Sequence, residues 1–125
     1  MLLDTSAWIE FFEGTAKGAK VRELIRGKAA YASILTIAEL RLWGLKNSRK
    51  LDAYTDSMEQ NATVLDIDKK TAELAAYTKF KYDRTGIRLI DCLIYATALT
   101  HDMQVISTDA HFRSLENTIF VDGSA

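Results

Sequence analysis

The chain has 125 residues, of which 48% are hydrophobic and 26% charged, and its formal net charge is −1. These values are typical of one globular domain that buries a core of useful size. With a net charge this small, the chain has no overall positive potential that would attract nucleic acid. Contact with RNA would therefore need local basic patches and metal ions. No apolar stretch approaches the roughly 18 residues that span a bilayer, and we expect no membrane partner.

The N-terminus and the cysteine content indicate the cytoplasm. Residues 1–3 form an apolar run that reaches Asp4 at once, so this run cannot serve as the apolar region of a signal peptide. The single cysteine, Cys92, cannot form an internal disulfide, which favours a reducing compartment.

Proline is absent, so the elements are predicted from hydrophobic periodicity, glycines and capping residues. In the first half of the chain, Thr5 or Ser6 is expected to cap the first helix and Gly14 to end it. The elements predicted there are a strand at 1–3, a helix from the cap to about residue 13, a helix at 17–26, a strand at 29–33, a helix at 35–46 and a helix at 49–60.

In the second half, Asp68 is the expected N-cap of a long helix, and Gly86 separates that helix from the next. The elements predicted there are a strand at 63–65, helices at 69–83 and 89–100, a strand at 104–107, a short helical turn near 110–114 and a strand at 118–121. Short apolar strands that alternate with helices indicate a three-layer α/β/α sandwich with a central, mostly parallel five-stranded sheet. We expect residues 1–125 to form a single domain.

Four acidic residues fall where such a fold gathers its functional groups, beyond the carboxyl ends of the strands. Asp4 ends the first strand, and Asp109 follows the fourth strand by two residues. Glu39 is expected in the first turn of the helix after the second strand, and Asp91 in the first turn of helix 89–100. Because these places meet at one edge of the sheet, the sequence predicts four carboxylates on one rim.

Each acid also has a structural interpretation. The pattern Thr36-x-x-Glu39 is that of a capping box. Asp91 would complement a helix dipole, and Asp109 could cap the short helix that follows it. Asp4 is the hardest to explain in this way, because a carboxylate at the end of an inner strand loses its hydration. The joint placement of the four acids, rather than any one of them, indicates function.

Four carboxylates on one rim repel each other, by about 4 kcal/mol for two charges about 4 Å apart at a protein-surface dielectric. A bound cation removes this repulsion, and ligands that are all oxygen favour Mg²⁺ or Mn²⁺. A water on such an ion can attack a phosphodiester, and the ion stabilises the charge that develops in the transition state. The acids therefore predict a bound divalent cation, for which attack of its water on a phosphodiester is a possible reaction.

Four stretches of sequence surround the acids: MLLDTSAWIEFF with Asp4, SILTIAELRLWG with Glu39, LIDCLIYATAL with Asp91 and VISTDAHF with Asp109. In these stretches the chain resembles the PIN domain, and within it the VapC-type toxins of bacterial and archaeal toxin–antitoxin pairs. The resemblance extends over nearly the whole chain. One departure concerns the third stretch, where a proline often precedes the acid and Leu89-Ile90 stands instead.

The resemblance implies RNA cleavage with Mg²⁺ or Mn²⁺, a homodimer, and inhibition by a small cognate antitoxin. It implies that Asp4 and Asp91 are the leading metal ligands. Asp109 would complete the metal site or hold a second ion. Glu39 would bind metal through water or position the attacking water.

Residues near the acids are expected to assist them. The resemblance implies that the hydroxyls of Ser6 and Thr108 orient the carboxylates by hydrogen bonds. A basic stretch with aromatic residues leads into helix 89–100 and comprises Lys79, Phe80, Lys81, Tyr82, Arg84 and Arg88. It is either a solvated helix end or a surface that binds RNA phosphates and stacks on a base. Arg84 and Arg88 are the candidate RNA contacts, and Arg88 is the stronger because it is closest to Asp91.

Other residues could contribute to binding. Trp43 is expected to be exposed beside Leu42, where it would suit contact with a second copy or an antitoxin. His101 and His111 lack metal-ligand spacing with each other or with Cys92, so both are expected at the surface or as caps. A further basic group could extend the RNA surface, although a solvated face is the simpler interpretation, and it comprises Arg41, Lys46, Arg49 and Lys50.

Other functions fit the sequence less well. An aspartyl-phosphate phosphatase normally needs a second acid two residues after the first, and Ser6 stands there. A phospho-receiver domain needs an acidic pair after the first strand and a lysine after the last, and neither is present. Two alternatives stay open within the resemblance: a housekeeping RNA-processing nuclease, and a catalytically silent module that binds only RNA or protein.

Overall fold

Short strands alternate with helices in the computed structural model, which describes residues 1–49 and 51–123 apart from the side chains of Leu51 and Asp52. The strands are β1 (Leu2–Leu3), β2 (Tyr31–Ser33), β3 (Thr63–Leu65), β4 (Val105–Ser107) and β5 (Thr118–Phe120). The α-helices are α1 (Thr5–Glu13), α2 (Ala16–Ile25), α3 (Ile34–Lys46), α4 (Leu51–Asn61), α5 (Lys69–Lys81) and α6 (Leu89–Thr100). Single 3₁₀ turns lie at Asp83–Thr85 and Ala110–Phe112.

The strands form one five-stranded sheet in the order β3-β2-β1-β4-β5, and every pairing between them is parallel. Leu2 of β1 is in register with Tyr31 on one side and with Val105 on the other. β1 is therefore the central strand, and the chain builds outward from it in both directions. Such a reversal of strand order opens a crevice at the carboxyl ends of the strands.

Helices cover both faces of the sheet. Successive residues of a strand point to opposite faces, so Leu2 packs into one hydrophobic core and Leu3 into another. The first core contains Ile94 and Ala98 of α6, and the second contains Trp8 of α1 and Leu40 of α3. The predicted three-layer α/β/α fold is confirmed, with a sheet that is wholly parallel rather than mostly so.

Two helix caps differ from the prediction. Asp4, not Thr5 or Ser6, caps α1, and its side chain accepts a hydrogen bond of 3.0 Å from the amide of Ala7. Ser33 caps α3, so Thr36 lies inside that helix and the predicted capping box with Glu39 is wrong. Glu39 consequently lies in the second turn of α3 rather than the first.

The remaining boundaries follow the prediction closely. Asp68 caps α5 as expected, by accepting a 2.8 Å hydrogen bond from the amide of Thr71. The long helix ends at Lys81 and gives way to a 3₁₀ turn, which closes at Gly86 with a left-handed φ of 80°. Lys50 lies outside the described residues, so its predicted place in a basic surface has no structural account. Within the described chain, no helix has the length and apolarity needed to cross a bilayer.

Candidate active site

Asp4 lies where β1 ends and α1 begins, and only 3% of its surface is exposed. Three donors surround its carboxylate. The hydroxyl of Ser6 donates to Oδ1 at 2.7 Å, the hydroxyl of Ser107 donates to Oδ2 at 2.8 Å, and the amide of Ala7 also donates to Oδ1. Both oxygens are thus held in fixed positions by groups from the first and the fourth strand regions.

Burial raises the pKa of Asp4 to about 7, because the charged form is poorly solvated there. The hydrogen bonds from Ser6, Ala7 and Ser107 oppose this rise, and the negative charge of Asp109 adds a little to it. Among the described residues, the carboxylate therefore has three hydrogen-bond donors but no ion-pair partner, which is the condition that a bound cation relieves.

Asp91 is the third residue of α6 and is almost fully buried. Its Oδ2 accepts from the backbone amide of Arg88 at 3.3 Å and from Nε of the same residue at 3.2 Å, while its Oδ1 accepts from Nη2 at 3.1 Å. The hydrogen bond with Asp91 is the main reason why the pKa of Arg88 is raised. Arg88 is therefore the N-cap residue of α6, its amide donates to Asp91, and its guanidinium pairs with the same carboxylate.

Glu39 reaches the same place from α3. Its Oε1 accepts a 2.6 Å hydrogen bond from the hydroxyl of Thr5, and Thr5 also lies 3.1 Å from the hydroxyl of Thr36. Its Oε2 accepts from Nη2 of Arg88 at 3.1 Å. The side chain of Glu39 thus faces the sheet edge and not the cap of its own helix.

Asp109 lies just after β4, where its amide donates to the hydroxyl of Ser107 at 3.0 Å. Its Oδ1 accepts from the amide of His111 at 2.9 Å and lies 3.2 Å from Nδ1 of that ring. Ligand atoms of Asp91, Asp109 and His111 all lie within 4.8 Å of one another. The sequence placed His111 at the surface or in a cap and missed this proximity, because its neighbours here are acids and not the other histidine or the cysteine.

The two predicted hydroxyl residues have different roles in the geometry. Ser6 donates to Asp4 as expected, and its oxygen accepts from the amide of Thr108 at 3.1 Å. Thr108 therefore participates through its backbone. The second hydroxyl on the Asp4 carboxylate belongs to Ser107, the last residue of β4, which the sequence did not single out.

The four acids line one open cleft of about 240 Å³ at this edge of the sheet. Ile9, Leu42 and Trp43 contribute an apolar wall to the same cleft, and Lys46 and Arg88 contribute cationic side chains. Carboxylate oxygens with one imidazole nitrogen are ligands for a hard divalent cation, so this donor set fits the ion that the sequence predicts.

A family model described as the PIN domain matches residues 1–117. The chain belongs to the PIN-domain family. Among curated PIN-domain relatives, ribonuclease VapC11 of Mycobacterium tuberculosis is 27% identical over 118 residues, which cover 90% of this chain and 88% of that protein. A VapC ribonuclease of Mycobacterium bovis matches to the same extent.

Solved structures agree on the fold. A chain of the toxin–antitoxin complex from Klebsiella pneumoniae superimposes on this PIN domain with a TM-score of 0.75 at 20% identity, covering 94% of both chains. The sarcin–ricin loop cleaving toxin VapC20 of M. tuberculosis gives a TM-score of 0.73 at 16% identity, covering 92% of this chain and 94% of that one.

Of the basic stretch before α6, Arg88 lines the cleft of the PIN domain, whereas Arg84 lies in the 3₁₀ turn outside it. Lys79 pairs with Asp83, and Phe80 is exposed over 76% of its surface. Of this basic and aromatic stretch, Arg88 is thus the residue that the structure places at the cleft.

Trp43 is half-buried rather than exposed, since its ring stacks on Tyr54 at a centroid distance of 5.8 Å. Its neighbour Leu42 is exposed over 52% of its surface. Cys92 is buried directly after Asp91, and burial raises the pKa of its thiol to about 11. A thiol so hard to ionise is a poor metal ligand.

Proposed function

We propose that this PIN domain, formed by the whole chain, is a metal-dependent endoribonuclease and the toxin of a type II toxin–antitoxin pair. The observation that carries the proposal is the convergence of Asp4, Glu39, Asp91 and Asp109 on one cleft from four separate parts of the chain. The names of the curated relatives, which are VapC ribonucleases, support the same reaction. The cytoplasm, where RNA and an antitoxin are both at hand, is the proposed compartment.

We propose Mg²⁺ or Mn²⁺ as the cofactor, held by Asp4, Asp91 and Asp109. When bound, such an ion lowers the pKa of a coordinated water and stabilises negative charge on the phosphodiester. Ser6 and Ser107 fix both oxygens of Asp4, so this ligand needs little rearrangement. The carboxylate of Glu39 is held by Thr5 at the cleft, where it can accept a proton from the attacking water.

RNA would enter along the open side of the cleft. The apolar wall of Ile9, Leu42 and Trp43 offers a surface against which a base can lie. Arg88 lines the cleft, and Arg84 precedes it in the basic stretch, so both are proposed phosphate contacts.

The catalytic proposal is tested by Asp4→Asn and Asp91→Asn. Each replacement removes one ligand charge with little change of volume, so cleavage of RNA in the presence of Mn²⁺ or Mg²⁺ should fall on the order of 100-fold or more. Asp102→Asn is the matched control, because Asp102 is exposed and has a left-handed φ of 53° that asparagine tolerates well. Wild-type activity in either site variant would remove that residue from the mechanism.

A cleavage assay with and without metal also separates the alternatives. A catalytically silent module would bind RNA or protein and cleave no RNA under either condition. A housekeeping nuclease would cleave with metal, yet its expression would leave growth unaffected.

The partner is proposed to be a small antitoxin, and the active form a homodimer. Leu42 and Leu45 are exposed on α3, and the acidic cleft beside them could accept an arginine from the partner. Expression of the chain alone should slow growth, and co-expression of a short protein encoded next to it should restore growth. Asp4→Asn should be harmless and still bind that protein, because most of the contact area would be apolar. Harmless wild-type expression without a co-purifying small protein would favour the housekeeping nuclease.

A further inference from the structure

The guanidinium of Arg88 connects two of the four acids. Its Nη2 lies 3.1 Å from Oε2 of Glu39 and 3.1 Å from Oδ1 of Asp91, and its Nε lies 3.2 Å from Oδ2 of Asp91. The two acids belong to α3 and α6 and are nearly buried, with side-chain exposures of 15% and 6%, whereas that of Arg88 is 61%. A largely solvent-exposed cation thus pairs with two sheltered anions.

Both oxygens of Asp91 are engaged in this arrangement. The fork of Arg88 lies along the carboxylate in the bidentate geometry that is the strongest form of this pairing. Asp91 is also one of the three residues whose ligand atoms lie within 4.8 Å of one another. A divalent ion that takes an oxygen of Asp91 would therefore come close to the positive guanidinium, and the two cations would repel each other.

We propose that Arg88 is an internal counter-ion of Asp91 and Glu39 that competes with the metal for Asp91. In the metal-free protein, Arg88 offsets part of the repulsion among the acids. Binding of Mg²⁺ or Mn²⁺ then requires the guanidinium to leave the carboxylates and turn toward the solvent side of the cleft, which its exposure permits. The affinity of the site for metal is accordingly lower than its ligands alone would give. This inference rests on the proposed metal-dependent function.

The decisive variant is Arg88→Gln, measured by calorimetric titration of Mn²⁺ and of Mg²⁺ into the RNA-free protein. Removal of the competing charge should lower the Kd for each ion about tenfold, while the melting temperature of the metal-free protein falls because two acids lose their partner. Arg26→Gln is the matched control, since Arg26 forms an exposed i,i+3 ion pair with Glu23 and neither residue lines the cleft. Its Kd values should equal those of the wild type.

An equal or weaker affinity of Arg88→Gln for metal would overturn the proposal. If that variant does not fold, Arg88→Lys decides instead, because a lysine keeps the charge but cannot hold two carboxylates with a planar fork. Arg88→Lys should bind metal more tightly than the wild type, and an unchanged Kd would contradict the competition. If the wild type bound neither ion, both the proposed function and this inference would be wrong. If the wild type bound metal and cleaved RNA but Arg88→Gln bound metal no more tightly, only this inference would be wrong.

Discussion

Two opposing effects, burial and hydrogen bonding, act on the ionisation of the carboxyl group of Asp4. Burial opposes its ionisation, while the donors on Ser6, Ala7 and Ser107 favour it. Burial prevails, because hydrogen bonds from neutral donors replace only part of the hydration that a full charge loses. Arg88 supplies its charge to Asp91 and Glu39 and not to Asp4. In the absence of metal, Asp4 is thus the acid with the greatest need of a cation.

This balance predicts an unusual pH dependence of stability for the metal-free protein. The pKa of Asp4 rises from 3.8 to about 7 on folding, so the folded state holds a proton that the unfolded state has lost between these values. The contribution of Asp4 to stability is fully present below about pH 4 and is lost as pH rises toward 7, by at most roughly 4 kcal/mol. Urea unfolding with EDTA at pH 5, 6, 7 and 8 measures it.

Asp4→Asn is the control for this titration, because asparagine can still accept from the amide of Ala7 and carries no titrating proton. Its stability should change less than that of the wild type between pH 5 and pH 8. The assignment would be wrong if both proteins followed parallel curves. Because metal must displace the proton, Mn²⁺ binding should also tighten as pH rises toward 7.

The sequence located the four acids because each has a fixed relation to the end of a strand or the start of a helix. It missed Thr5, Ser107 and His111 for a different reason. Thr5 and Ser107 act through contacts across the sheet edge, such as the hydrogen bond from Ser107 to Asp4, which spans 103 positions of sequence. His111 contacts Asp109 two positions before it, and the fold also brings it close to Asp91. Only the pairing of β1 with β4 decides which polar residue at a strand end meets which acid.

At the scale of elements, internal periodicity predicted the helices well and local capping rules predicted their first residues less well. The bounds of α6 and β3 agree with the prediction at both ends. The cap of α1 was misplaced because Asp4, Thr5 and Ser6 all have side chains that can cap, with similar preferences. The residue that caps α1 is the one that follows the last paired residue of β1. That pairing involves a distant strand and cannot be recognised from a short stretch of sequence.

Gly18 provides a test of how closely α1 and α2 pack. In an exposed helix, Gly→Ala stabilises by about 1 kcal/mol. Here an added Cβ would lie 2.0 Å from the backbone oxygen of Glu10, so α2 would have to move. Gly18→Ala should therefore destabilise the protein by about 1–3 kcal/mol, as overpacking does. Urea unfolding measures the change.

The control for Gly18→Ala is Ala19→Gly, at an exposed position of the same helix. This substitution should follow the ordinary propensity and cost about 1 kcal/mol. A stabilising effect of Gly18→Ala would show that the two helices are not in close backbone contact.

For the molecule as a whole, the topology that builds the site also concentrates like charge. The order β3-β2-β1-β4-β5 brings the carboxyl ends of β1, β2 and β4 together, and with them the acids that follow. Arg88 offsets part of the repulsion in the metal-free state. The repulsion that remains lowers the stability of the metal-free protein and raises its affinity for cations, as is usual where a fold carries a functional site.

A bound ion should therefore stabilise the whole domain. At about 100 times its Kd, Mg²⁺ or Mn²⁺ is worth about 2.7 kcal/mol, which for a domain of this size corresponds to a rise of roughly 10 °C in Tm. Asp109→Asn is the informative variant, since asparagine can still cap the 3₁₀ turn while the ligand charge is lost. Its metal-free Tm should match or exceed that of the wild type, and its rise with metal should be smaller.

Glu116→Gln, at an exposed acid away from the cleft, should keep the full rise. Scanning calorimetry with EDTA and with each ion compares the three proteins. If Asp109→Asn keeps the wild-type rise, Asp109 is no ligand, and the ion is held by Asp4 and Asp91 without it.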